Sequence, residues 1–249
     1  MTKTQWTSFE SFRTRFRDQC KAWQANDEWL GALEKEAADA DGNPEYPLET
    51  PVVYNQALDA ITERDEIKLI VVGDNPGKDE QLKINRRYLV GQSGKLADGF
   101  FRKNPELGID FRKNVIILNK TPIHTAKTKQ LSYICKKDGK RFTELLDETQ
   151  EWMARETAML QKALDCDLWL VGYGELRAKG LFTVYADVLG KQYLDMEDFY
   201  RTSNAVRVYQ HFSMNRFSID LEQNYFKNLS LGDNLRAIGY AHRNEILGW

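Results

Sequence analysis

Cysteine, histidine and proline are scarce in this chain of 249 residues, numbering three, three and six. Cys20, Cys135 and Cys166 lie far apart and form neither a Cys-x-x-Cys pair nor an even disulfide framework. That excludes a disulfide-stapled scaffold and the familiar zinc and iron–sulfur spacings. It leads to the expectation of a reducing compartment, the cytoplasm, with no metal site. No apolar run approaches the ~18 residues a membrane span needs. The opening MTKTQWTSFESFRTRF contains no apolar core of the secretory type. Internal repeats and low-complexity tracts are absent, which excludes a solenoid.

Core-building material is plentiful, with 42% hydrophobic and 12% aromatic residues, enough for a single domain spanning 1–249. The net charge of −2 hides an asymmetry. Residues 1–66 carry 14 acidic and 7 basic side chains, whereas residues 67–249 carry 23 and 28. Between 120 and 141, Lys120, Lys127, Lys129, Lys136, Lys137, Lys140 and Arg141 face Asp138 alone. Such a cluster suits a polyanion, or is simply a solvated loop.

Aromatic and leucine positions from Phe9 to Leu33 recur every three or four residues, which predicts one or two helices over 7–38. The turn-rich DADGNPEYPLETP follows, then a short helix near 52–63. Residues 1–62 are thus expected to form a helical N-terminal extension. From residue 67 the pattern changes to four short apolar runs: Ile67–Val72, Val115–Leu118, Leu168–Val171 and Val206–Tyr209. Continuous runs of this length suit strands buried on both faces, as in a parallel sheet. The clearest helix between them covers 143–164. Alternating strands and helices predict a three-layer α/β/α fold with a central, mainly four-stranded parallel sheet. Ligands of such sheets sit beyond the strand C-termini, which directs attention to Gly73–Glu80, Asn119–Thr125, Gly172–Glu175 and His211–Phe217.

Two glycine-rich stretches stand out, GDNPGKDE (73–80) and GQSGK (91–95), the latter opening a predicted helix whose N–H groups suit a phosphate. Neither is a Walker A loop. The glycine spacing is short, and Asp79 or Leu96 stands where the magnesium-binding hydroxyl belongs. Asn119 ends the second run with one acceptor and two donors, enough to read a base edge or to cap the following segment. His124 and His211 both fall just past strand ends, without a third ligand at metal spacing.

Together these segments resemble the uracil-DNA glycosylase superfamily over roughly residues 67–219. GDNPG is similar to its first motif, in the form with Asn at the third place found in mismatch-specific and single-strand-selective glycosylases. KDEQLKINRRYLVGQSGKL resembles the following part of the iron–sulfur families, Asn119 matches the base-reading asparagine, and HFSMNRF resembles the final histidine motif. There are departures: the cluster cysteines are missing, Phe212 and Met214 replace two prolines, and Leu89 stands at the place of the base-stacking aromatic, with Tyr88 one residue earlier.

The resemblance implies a DNA glycosylase without a cofactor, expected to be monomeric and free of membranes, acting on single- or double-stranded DNA that contains uracil or a modified base. Gly73, Pro76 and Gly77 would shape the first loop, and Asn75 or the neighbouring carboxylate of Asp74 would position the attacking water. Asn119 would read the base, with Tyr88 or Leu89 against its face. His211 would hydrogen-bond the leaving base, flanked by Ser213. Met214, Asn215 or Arg216 would wedge into the vacated stack. Lys120, Lys127 and Lys129 would neutralise phosphates. The alternative is a non-catalytic module that keeps the base pocket as a lesion or nucleic-acid sensor.

Overall fold

The computed structural model describes residues 1–194 and 204–249. Its centre is a sheet of four parallel strands, β1 (Leu69–Gly73), β2 (Val115–Asn119), β3 (Asp167–Val171) and β4 (Val206–Tyr209), in the order β2-β1-β3-β4. Every strand residue is buried apart from Asp167 at the start of β3. That is why each strand reads as an unbroken apolar run rather than an alternating one. The register sets Gly73 beside Asn119 and Val171 beside Tyr209, so the strand ends lie level along one rim. The chain leaves β1 for β2 on one side, while β3 continues to β4 on the other. The strand order therefore reverses between β1 and β3, where parallel sheets open a crevice.

Helices flank the sheet in a three-layer α/β/α arrangement. α1 (Lys3–Trp23) starts in a full capping box, with Thr2 accepting from the Gln5 N–H and Gln5 accepting from the Thr2 N–H. Its Phe9, Phe12, Phe16, Cys20 and Trp23 form one buried face. α2 (Asp27–Ala40) follows, then a single 3-10 turn (Gln56–Ala60) in place of the predicted short helix. α3 (Gln92–Lys103) opens at GQSGK. α4 (Lys129–Asp138) and α5 (Lys140–Leu164) meet at Gly139, whose φ of 69° permits the break between them. α6 (Thr183–Leu194), α7 (Arg216–Gln223) and α8 (Leu231–Leu247) complete the described helices.

The N-terminal extension packs chiefly on α5 and forms a further layer there. Phe16 stacks on Trp152 at 5.6 Å, Trp23 meets the same ring edge-on at 5.7 Å, and Arg15 grips Glu156 through two hydrogen bonds. The extension also reaches the strand-end rim. Val53 N–H donates to Pro122 O, His124 N–H donates to Pro51 O, and Val52 bridges Ile123 in antiparallel fashion. A second aromatic cluster covers the Trp169 side of the sheet, with Phe101 of α3 at 5.6 Å and Tyr209 at 4.8 Å. Phe212 stacks on Phe217 at 4.6 Å in this cluster. Burial there accounts for a phenylalanine where the resembling motif has proline.

Candidate functional site

Asp74 and Lys120 are the first residues beyond β1 and β2, and the register that pairs Gly73 with Asn119 brings them side by side. The Lys120 ammonium, fully buried, donates to Asp74 Oδ1 at 2.6 Å, to Val171 O at 2.7 Å and to Gly73 O at 3.3 Å. One side chain just past β2 thus ties together the ends of β1 and β3 where the strand order reverses. Burial pulls its pKa below the ordinary lysine value, while Asp74 raises it. Three acceptors around one nitrogen need three protons, which only the charged ammonium carries.

Close packing around the pair explains two glycines. At Gly172, where φ is 89°, a Cβ would stand 2.6 Å from Asp74 Oδ1. At Gly73 a Cβ would stand 2.7 Å from Asn119 Oδ1. Gly77 has no comparable neighbour, and its N–H donates to Glu80.

Asn119 is 2% exposed, and its Nδ2 is buried without a hydrogen-bond partner. Buried amide donors are normally satisfied, so this one has capacity for a ligand or a water. His211, half-buried beyond β4, accepts the Ser213 N–H at Nδ1, 3.1 Å away, with the Ser213 hydroxyl 2.8 Å from the same atom. An Nδ1 that accepts leaves the ring proton on Nε2. Burial lowers the His211 pKa, Asp74 opposes this, and Lys120 and Arg216 add to it. The imidazole is therefore a neutral Nε2–H donor at pH 7.

Other expected site residues have different surroundings. Asn75 donates its amide to Thr125 Oγ1 at 2.8 Å and so braces the loop after β2. Buried Pro76 offers its carbonyl to the Thr125 N–H and to His124 Nδ1 at 2.9 Å. His124 also accepts from the Tyr46 hydroxyl at 3.2 Å, and burial lowers its pKa to about 4. With both ring nitrogens engaged, it is a neutral brace and not a substitute for His211. Tyr88 is fully buried with its hydroxyl on Val53 O, and Leu89 is 4% exposed with its N–H on Glu80. Neither offers a free face to a base. Met214 and Asn215 are exposed and occupy successive left-handed conformations, with φ of 53° and 57°, which carry Arg216 at the start of α7. Strained non-glycine residues of this kind cluster at functional sites.

The basic stretch also divides. Lys120 is buried and cannot reach a phosphate. Lys127 and Lys129 both pair with Asp41 of the N-terminal extension, and Lys137 pairs with Glu36. Much of the positive cluster thus answers the negative charge of residues 1–66. At the start of α3 the Asp79 carboxylate lies against Gly91, where the sequence suggested a phosphate.

Sequence reasoning missed the Lys120 anchor, the Gly172 contact and the role of Glu80, which accepts from Gly77 and Leu89 to close the intervening loop. A signal for the first was present: opposite charges stand two residues past two predicted apolar runs.

Fold and site define an α/β protein whose polar side chains converge at the switch point of a parallel sheet. No family model, curated protein or solved structure matches this chain. No helix among the described residues is long and apolar enough to cross a membrane.

Proposed function

We propose that this chain is a DNA glycosylase that takes uracil or a related damaged base into the crevice and hydrolyses its bond to the sugar. The observation that carries the reading is the unpartnered Asn119 Nδ2, buried at a strand end. A donor and an acceptor on that carboxamide match the edge of uracil, and a site built for such bonds disfavours bases that leave them unmade.

In the proposed reaction the C1′–N1 electron pair leaves with the base. His211 donates from Nε2 to the charge developing on the base, which a neutral imidazole does without first losing a proton. The Asp74 carboxylate, held at Oδ1 by Lys120, faces the cationic sugar and the incoming water with Oδ2. Water oxygen then bonds to C1′, and its proton passes to solvent or base. Because the base is inaccessible in a stacked duplex, it must be flipped or taken from single-stranded DNA. Exposed Met214 and Asn215 are the wedge candidates, and Arg216 is the adjacent phosphate contact. The same proposal has the protein act as a cytoplasmic monomer without a cofactor.

A specific observation favours the second reading, a non-catalytic lesion binder: the Asn75 amide is spent on Thr125, and the charge of Asp74 is answered by Lys120. Base release from single- and double-stranded oligonucleotides carrying uracil, xanthine, hypoxanthine or oxidised pyrimidines separates the two. The glycosylase reading expects release of at least one base and its loss of selectivity in Asn119→Ala. Tight binding to a modified oligonucleotide with no release from any substrate establishes the binder.

A further inference from the structure

A cavity of about 250 Å³ lies beside β2, the edge strand of the sheet, away from the strand-end crevice. Leu58, Ile61, Phe111, Val115 and Ile117 make much of its wall apolar. Arg87 and Arg112 line it as well. Arg87 Nε and Arg112 Nη1 are both buried without a hydrogen-bond partner. Arg112 lies over the Phe111 ring, 4.9 Å from its centroid, and spends Nη2 on Leu89 O at 2.8 Å. Burial and the charge of Arg87 both depress its pKa, while Asp98 and Glu80 act the other way.

Two further charged residues line the cavity, and both have other partners. The Asp65 carboxylate accepts the Thr62 N–H and hydroxyl at 2.7 and 2.9 Å. The Lys113 ammonium lies 3.5 Å from Asp110. Neither arginine forms an ion pair among the described residues. Asp98 and Glu80 act on Arg112 without a hydrogen bond or ion pair to it, so two neighbouring guanidinium groups keep donor capacity, and their planar forks suit an oxyanion. An apolar wall with a few convergent polar groups is the usual make-up of a small-molecule site.

We propose that this cavity binds a small organic anion, a carboxylate or phosphate monoester on an apolar body about the size of one ring, with the oxyanion held by Arg87 and Arg112. The site is separate from the crevice, and its assignment stands whether or not the protein releases bases.

Calorimetric titration of the full chain with benzoate, phenyl phosphate, benzyl alcohol and inorganic phosphate tests it. Benzoate or phenyl phosphate should saturate one site per chain, at least ~10-fold more tightly than the neutral alcohol or the bare ion, and the stronger of the two identifies the oxyanion. Arg87→Gln should weaken that binding by at least ~10-fold with an unchanged circular dichroism spectrum. Arg112→Gln should do the same, but it also loses the Leu89 bond, so Arg87→Gln is decisive. The proposal is overturned by no saturable binding of either organic anion, by equal binding of benzyl alcohol or inorganic phosphate, or by undiminished binding to Arg87→Gln.

Discussion

Lys120 Nζ and Asp74 Oδ1 meet at 2.6 Å at the point where the strand order reverses, with the lysine wholly buried and the aspartate side chain 15% exposed. The pair fixes a carboxylate at the switch point of the sheet and binds three strand ends to one another. A buried ion pair is not in itself evidence of extra stability, because desolvation offsets much of the attraction. Its clear consequence is geometric: Asp74 has one orientation.

Removing one partner should be costly. Lys120→Met leaves Asp74 without its cation and removes the ammonium bond to Val171 O, while Gly73 O keeps the backbone N–H of residue 120, and the expected loss is ~3 kcal/mol in urea unfolding. A loss below ~1 kcal/mol would mean that water replaces the ammonium freely.

Gly172→Ala places a methyl group 2.6 Å from Asp74 Oδ1 at a φ of 89°. Strain of this type costs ~1–3 kcal/mol, so urea denaturation should show a fall of that order. Base release, if wild type has it, should fall as well, because Asp74 must move.

His211 should show its ring proton on Nε2 at pH 7 in long-range nitrogen–proton NMR correlations. Its pKa lies below the ordinary 6.5, so the ring is mainly neutral between pH 7 and 8 and base release should be level there. His211→Ala should slow release by ~100-fold or more, as loss of an oxyanion donor does. Equal rates in His211→Ala would remove the final motif from the mechanism.

Glu80 is buried, and desolvation raises its pKa to about 7 despite the N–H groups of Gly77 and Leu89. A raised carboxyl pKa means that the folded state holds the proton more tightly than the unfolded chain. Its contribution is therefore most favourable below the unfolded pKa of ~4.3, declines as pH rises toward 7, and is level above that, a change of about 4 kcal/mol. Glu80→Gln should flatten this slope between pH 4.5 and 7 in urea titrations. A parallel slope in both proteins would refute the assignment to Glu80.

Lys127 and Lys129 are committed to Asp41, so their joint change to Ala should leave the salt dependence of DNA binding nearly unaltered. Arg216→Ala should flatten it by about one log unit per log unit of salt. The reverse result would return the phosphate contact to the lysine stretch.

The four strands, their parallel arrangement and the long α5 were legible because each strand is buried on both faces and each helix shows a one-sided apolar period. The placing of Asn119 and His211 at strand C-termini was legible from the ends of the apolar runs. Tyr88 was misleading, since an aromatic next to Val-Gly has the same letters whether its ring faces a ligand or fills the core. Here its hydroxyl bonds Val53, a residue of the N-terminal extension that no local pattern connects with it.

Local hydrophobic periodicity and turn chemistry act over a few neighbouring residues, so the sequence by itself determined the four strands, the N-terminal helices, the long α5 and the layer architecture. Charge is different, because its role depends on what lies across space. Only the tertiary structure decided that Lys120 anchors Asp74 and not a phosphate. It likewise decided that Lys127 and Lys129 meet Asp41, 86 and 88 positions earlier in the chain. A lysine run looks the same in sequence whether its counter-charge is a nucleic acid or the protein's own acidic helix, and packing alone chooses between them.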